Sequence, residues 1–121
     1  MSYASKAYAK VAKETAPPRE LEASLLLKAA AQLQAVHDSW RDKPSDLQTA
    51  IMYNRRLWTV FLNAVTSHEN KLPAQIRANI VKLGAFVMGE TFALMTKPQP
   101  RHLLSIIKIN RSLAAGLRGK N

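Results

Sequence analysis

Apolar residues recur along the chain at intervals of three and four rather than in strict alternation, so each long segment reads as helix and none as strand. Prolines divide the pattern into five helix-length pieces: about 3–13, 19–40, 46–69, 73–96 and 101–117. Together they predict an all-α, compact single-domain bundle of about five helices over residues 1–121. The first piece puts Ala4, Ala7, Tyr8 and Val11 on one side and Lys6, Lys10 and Lys13 on another; it is short and expected to be the most mobile. Pro17-Pro18 breaks it. In the second, Leu21, Leu25, Ala29, Leu33, Val36 and Trp40 share a register, and Glu20 and Glu22 suit the positive end of the helix dipole. Ser45 followed by Gln48 has the form of a capping box ahead of the third piece. In the fourth, Ile76, Ile80, Leu83, Val87 and Leu94 share a face, while Gly84 and Gly89 signal a close helix approach or a kink. The fifth follows the extended Lys97-Pro98-Gln99-Pro100 connector and ends among Gly116 and Gly119.

Polar residues interrupt two of these stripes at equivalent places. In the third piece Leu47, Ile51, Trp58, Phe61 and Val65 define the apolar face, and Asn54 falls within about 20° of its centre. In the fifth, Asn110 falls among Leu103, Ile106, Leu113 and Leu117 in the same way, so both pieces carry Leu-x6-Asn-Arg-x-Leu. A buried amide without partners costs roughly 1–3 kcal/mol, so Asn54 and Asn110 should bond each other or another backbone. Two readings stand for them: they fix helix register inside the core, or they line a groove for a partner helix. Glu90, the only acid from Leu72 onward, lies near the fourth stripe and is expected to pair with Arg55 or Arg111.

Composition narrows the chemistry. The chain has 121 residues with 18 Lys+Arg against 8 Asp+Glu, a net charge of +10, and 47% hydrophobic residues. Such a balance favours acidic partners for a globular protein. With no cysteine there is no disulfide, thiolate metal site or thiol nucleophile, and a cytoplasmic location is the expectation. The longest uninterrupted apolar runs, Leu25–Leu27 and Leu83–Met88, are far shorter than the roughly 18 residues of a spanning helix, so no membrane role is expected. His37, His68 and His102 stand in separate pieces without metal-ligand spacing, and no nucleophile elbow or phosphate loop is present. The expectation is a non-enzyme without metal or cofactor.

Nucleic acid is the rival to a protein partner, because Tyr53-Asn54-Arg55-Arg56-Leu57-Trp58 interleaves basic and aromatic residues. Trp58, however, points into the apolar stripe, and Arg55 and Arg56 diverge by about 100° around the helix. The charge is also uneven. Residues 1–69 hold nine bases and seven acids, whereas residues 70–121 hold nine bases and one acid. A field of that kind attracts RNA in a salt-sensitive way and attracts acidic proteins equally.

Taken together, the motifs are specific where each alone is weak. They are Arg19-Glu20-Leu21-Glu22-Ala23 with Ala29 to Leu33; Ala50-Ile51-Met52-Tyr53-Asn54-Arg55-Arg56-Leu57-Trp58; Leu72-Pro73 leading to Asn79-Ile80 and Phe86-Val87; and Ile109-Asn110-Arg111-Ser112-Leu113-Ala114-Ala115-Gly116-Leu117. Over nearly its whole length the chain resembles the FlaF family of alphaproteobacterial flagellar biosynthesis regulators. The resemblance implies a small cytoplasmic helical protein that binds newly made flagellin as a secretion chaperone and promotes flagellin synthesis together with the regulator FlbT. The alternative is a post-transcriptional regulator that binds flagellin messenger RNA directly through the basic stretch from Lys97 to Lys120. Flagellin's terminal amphipathic helices are the segments such a chaperone would cover by helix-in-groove packing. The residues expected to contact a partner are Tyr53, Asn54, Arg55, Trp58, Phe61, Asn79, Asn110 and Arg111.

Overall fold

Prolines open three of the four helices in the computed structural model, which describes residues 17–42 and 45–119. The helices are α1 (Pro17–Asp38), α2 (Leu47–Thr66), α3 (Ala74–Thr96) and α4 (Pro100–Leu117), with a 3-10 turn at Trp40–Asp42 after α1. Proline suits a first turn because the N–H it lacks would have no partner there. Pro17 and Pro100 begin α1 and α4, and Pro73 caps α3. The class is all-α. Among the described residues there are four α-helices where about five were expected; the segment expected to form the other, residues 3–13, lies outside the described residues. The capping box at Ser45 and Gln48 does not form. The helix starts at Leu47, and Asp46 precedes it in a helical conformation with no side-chain hydrogen bond to the free N–H groups.

Each helix packs against its neighbours in sequence, and α1 closes the ring on α4, giving an up-down-up-down arrangement. The ends are tied by polar contacts. Arg118, just past α4, donates to Glu20 Oε1 at 2.8 Å and to Ser24 Oγ at 3.1 Å on α1. Asn70 joins α2 to α3 by donating to the Ala64 carbonyl and accepting from the Leu72 N–H. Gly119 follows α4 at φ 74°, a left-handed conformation that favours glycine.

The most extensive interface is between α1 and α4; Ala29, Leu33 and Val36 of the expected α1 register are buried, but the buried face is turned partway toward Ala23, Leu26 and Ala30. The buried positions are Ala23, Leu26, Ala29, Ala30, Leu33 and Val36, whereas Leu21 is exposed. The Leu25-Leu26-Leu27 run makes α1 apolar on several sides, so periodicity alone leaves its orientation open. The small side chains Ala23, Ala30 and Ala114 are buried in the core beside this interface, where small residues are compatible with a close approach of the two helices. In α3 Ile76 is likewise exposed, while Ile80, Val87 and Leu94 face the core. The stripes of α2 and α4 fall where the sequence puts them, with Ile51, Trp58, Phe61 and Val65 meeting Leu103, Ile106 and Ile107. Each such fully buried side chain contributes roughly 1.5–3 kcal/mol.

Glu22 lies half-buried in the second turn of α1, and burial pushes its carboxyl above the ordinary value of 4.5, with Arg19 partly offsetting the shift. The folded chain therefore holds this proton more tightly than the unfolded chain does. The charged form costs stability at neutral pH, and that cost disappears as the pH falls below 4.5. Glu22→Gln is accordingly expected to raise the melting temperature at pH 7 and to leave it unchanged below about pH 4. Thermal melts at the two pH values check this, and an equal gain at both would remove ionisation as the cause.

Candidate partner-binding surface

Asn54 and Asn110 meet in the middle of the bundle. Asn110 Nδ2 donates to Asn54 Oδ1 at 2.7 Å and to the Leu26 carbonyl of α1 at 3.4 Å. Asn110 Oδ1 in turn accepts from Trp58 Nε1 at 2.9 Å. Both partners anticipated from the sequence, the other asparagine and a backbone carbonyl, are therefore used at once. One side chain of α4 ties α2 and α1 together through hydrogen bonds shielded from water. Asn54 contributes less, since its Nδ2 is buried without a hydrogen-bond partner.

This arrangement divides the eight residues expected to contact a partner. Asn54 is 1% exposed and Asn110 0%, and Trp58 and Phe61 are buried with ring centroids 5.9 Å apart. These four belong to the core and present no surface in the folded bundle. Tyr53 is half-buried, with the Lys28 ammonium 5.5 Å from its ring centroid. Arg55, Asn79 and Arg111 are exposed, but they lie on three different helices. Asn79 Oδ1 accepts from Gln75 Nε2 one turn earlier. The shared Asn-Arg motif thus puts an amide inside and a guanidinium outside on each of two helices.

Glu90 does not pair with Arg55 or Arg111. It accepts from His102 Nδ1 at 2.6 Å, and both side chains are largely buried. The connector between α3 and α4 is only three residues long, so the end of α3 runs beside the start of α4. Both arginines lie farther along their own helices. The one acid from residue 70 onward is therefore turned inward and occupied, and the exposed charged side chains of that stretch are all basic among the described residues.

A surface that the sequence reading passed over lies on α3. Its core face is one side of a helix that is apolar almost all round, with Arg77, Lys82 and Glu90 as its only charged residues. Positions 74, 78, 81, 85, 88, 92 and 95 carry Ala, Ala, Val, Ala, Met, Phe and Met. That 4-3-4-3 spacing defines a second stripe on one side of the helix. Nothing in the bundle covers it: Phe92 is 67% exposed, Met95 45% and Val81 40%, and only Met88 is half-buried against the core. The mean hydropathy of α3 reaches 1.3 over 18 residues, so by length and composition it enters the range of spanning helices, which the uninterrupted runs alone do not reveal. Its other face packs on α2 and α4. The signal available in the sequence was the second series of three- and four-residue spacings, hidden beside the stronger Ile80-Val87-Leu94 series.

Neither a search of curated proteins nor one of solved structures finds a match to this chain. The family model for flagellar protein FlaF matches residues 4–117. That span takes in all four helices, the central Asn54–Asn110–Trp58 network and the uncovered stripe of α3, and the chain belongs to the FlaF family of flagellar proteins.

Proposed function

We propose that this flagellar protein is a cytoplasmic chaperone that takes up newly made flagellin and promotes flagellin synthesis together with FlbT. The observation that carries this reading is the broad apolar face of α3, left open on a basic helical bundle. A chaperone for unassembled amphipathic helices needs a surface of this kind, and a protein whose apolar residues all served its own core would lack it. Exposed Arg55, Arg101, Lys108 and Arg111 add a positive field that raises the rate of encounter with an acidic client. The same charges favour the second reading, direct binding of flagellin messenger RNA. Against it, Trp58 and Phe61 are buried and offer no bases a stacking platform.

A calorimetric titration of the purified chain with monomeric flagellin, and separately with the flagellin leader RNA, at low and moderate salt distinguishes the two. Chaperone action predicts flagellin binding that survives the added salt and RNA binding that falls by roughly tenfold or more. Failure to bind flagellin, with the leader outcompeting unrelated RNA, would replace the first reading by the second.

A further inference from the structure

We infer that the outer stripe of α3 is a docking seam for one acidic amphipathic helix of the partner, laid along α3 in coiled-coil fashion. The inference deepens the proposed function and rests on its reading that the client is an unpartnered helix. Spacing sets the shape of the occupant. From Ala74 to Met95 the apolar positions keep a strict alternation of four and three, the period at which two helices hold a continuous contact. At 1.5 Å per residue the seam is about 32 Å long, so the matching helix has about 21 residues. The side chains set a gradient along it. Ala74, Ala78 and Ala85 leave room for large residues, whereas Met88, Phe92 and Met95 project from the other end. Methionines adapt to side chains of different shape, which suits variable clients.

Charge sets the sign. Gly84 abuts Leu62 of α2 while Glu90 faces His102 of α4, so the seam borders α2; the charged residues of α2 and α3 are Arg55, Arg56, Arg77 and Lys82, all basic, and Glu90, which is sequestered by His102. A second copy of this chain would bring two such basic surfaces together, with like charges flanking the seam, and is disfavoured on that ground. An acidic helix is complementary in charge to both helices that border the seam. A bilayer would require no such periodicity, since a lipid surface has no register.

Two synthetic peptides of about 21 residues test this, one with leucine at four- and three-residue spacing and glutamate elsewhere, the other with lysine replacing each glutamate. The acidic peptide should bind the wild-type chain at least about tenfold more tightly than its basic twin. Phe92→Asp should weaken it by about tenfold or more, while Val60→Asp, at an equally exposed apolar position on α2, should change it less than about twofold. In the wild-type chain, bound peptide should slow peroxide oxidation of Met88 and Met95 and leave Met52 unaffected.

Equal losses in the two variants, preference for the basic peptide or unchanged methionine oxidation would overturn the seam. So would a wild-type dimer dispersed by Phe92→Asp, or binding to phosphatidylglycerol vesicles through Phe92 in the absence of peptide binding. Monomeric flagellin supplies the separate arm. If flagellin binds Phe92→Asp as it binds the wild type, the seam fails and the chaperone reading stands. If the acidic peptide occupies the seam but flagellin does not bind, the chaperone reading fails and the seam stands.

Discussion

Asn110→Ala should lower the unfolding free energy by about 3–5 kcal/mol, a large share of the 5–15 kcal/mol typical of a domain. The size follows from how many groups depend on one amide. Its removal leaves Trp58 Nε1 without its acceptor, takes the donor from Asn54 Oδ1 and the Leu26 carbonyl, and opens a cavity at a position that is 0% exposed. Asn54→Ala should cost only about 1–2 kcal/mol, because Asn54 makes a single accepted bond and its unpaired Nδ2 disappears with it. Guanidinium unfolding of the two single variants and the double variant checks the assignment. The cycle should show a coupling of about 1 kcal/mol or more, since the pair shares a hydrogen bond in a dry core. Equal costs for the two single variants would mean that Asn110 is not the hub.

The importance of those asparagines was legible from position alone, since an amide at the centre of an apolar stripe must find partners or destabilise the fold. Their role was not. A helical wheel places a residue on a face and is silent on whether that face meets the protein's own helices or a client's, and here the bundle itself fills the space with Trp58 and Phe61. The pairing of Glu90 shows a similar boundary. Burial of a lone acid demands a cation, but the choice among Arg55, Arg111 and His102 depends on which helix ends lie side by side, a consequence of the three-residue α3–α4 connector. The rotation of α1 was hidden for a different reason. Leu25, Leu26 and Leu27 give the helix no unique apolar side, and the choice between the candidates falls to its packing on α4, an interface that buries Ala23, Ala29, Ala30 and Ala114. For α3, an apolar residue exposed in the final fold carries the same sequence signature as one buried in it, so its outer stripe separates from its core face only once the neighbours are placed.

The interior and exterior of the bundle are linked through that packing. A docking seam works only if its side chains stand at fixed heights along a rigid helix, because each knob must meet its own hole. The register of α2 and α4 is fixed by the central hydrogen bonds, and both helices hold the core face of α3. A polar lock inside can therefore serve a partner outside without touching it, with Asn54 and Asn110 interior and the adjoining Arg55 and Arg111 exposed.

Gly84→Val should destabilise the chain by about 2 kcal/mol, and the reason lies where Gly84 of α3 packs on Leu62 of α2. A Cβ placed on Gly84 would lie 2.5 Å from Leu62 Cδ2 and 3.0 Å from Leu62 Cδ1 and Cγ, whereas one on Gly89 would meet nothing within 4 Å. Of the two readings open from the sequence, close approach therefore describes Gly84. For Gly84→Ala the clash is with the far end of a half-buried leucine that can swing aside, and the roughly 1 kcal/mol by which alanine exceeds glycine in helix propensity opposes it, so the net change should be small. Valine adds two methyl groups and gains less in propensity, so Leu62 must leave its place or α3 must move outward. Adding Leu62→Ala to Gly84→Val should restore at least half of the loss despite being destabilising alone, a compensation that chemical unfolding of the four chains measures directly. Since α3 carries the proposed seam on its far side, the uncompensated variant should also bind the acidic peptide more weakly than the compensated one, in parallel with the displacement of the helix.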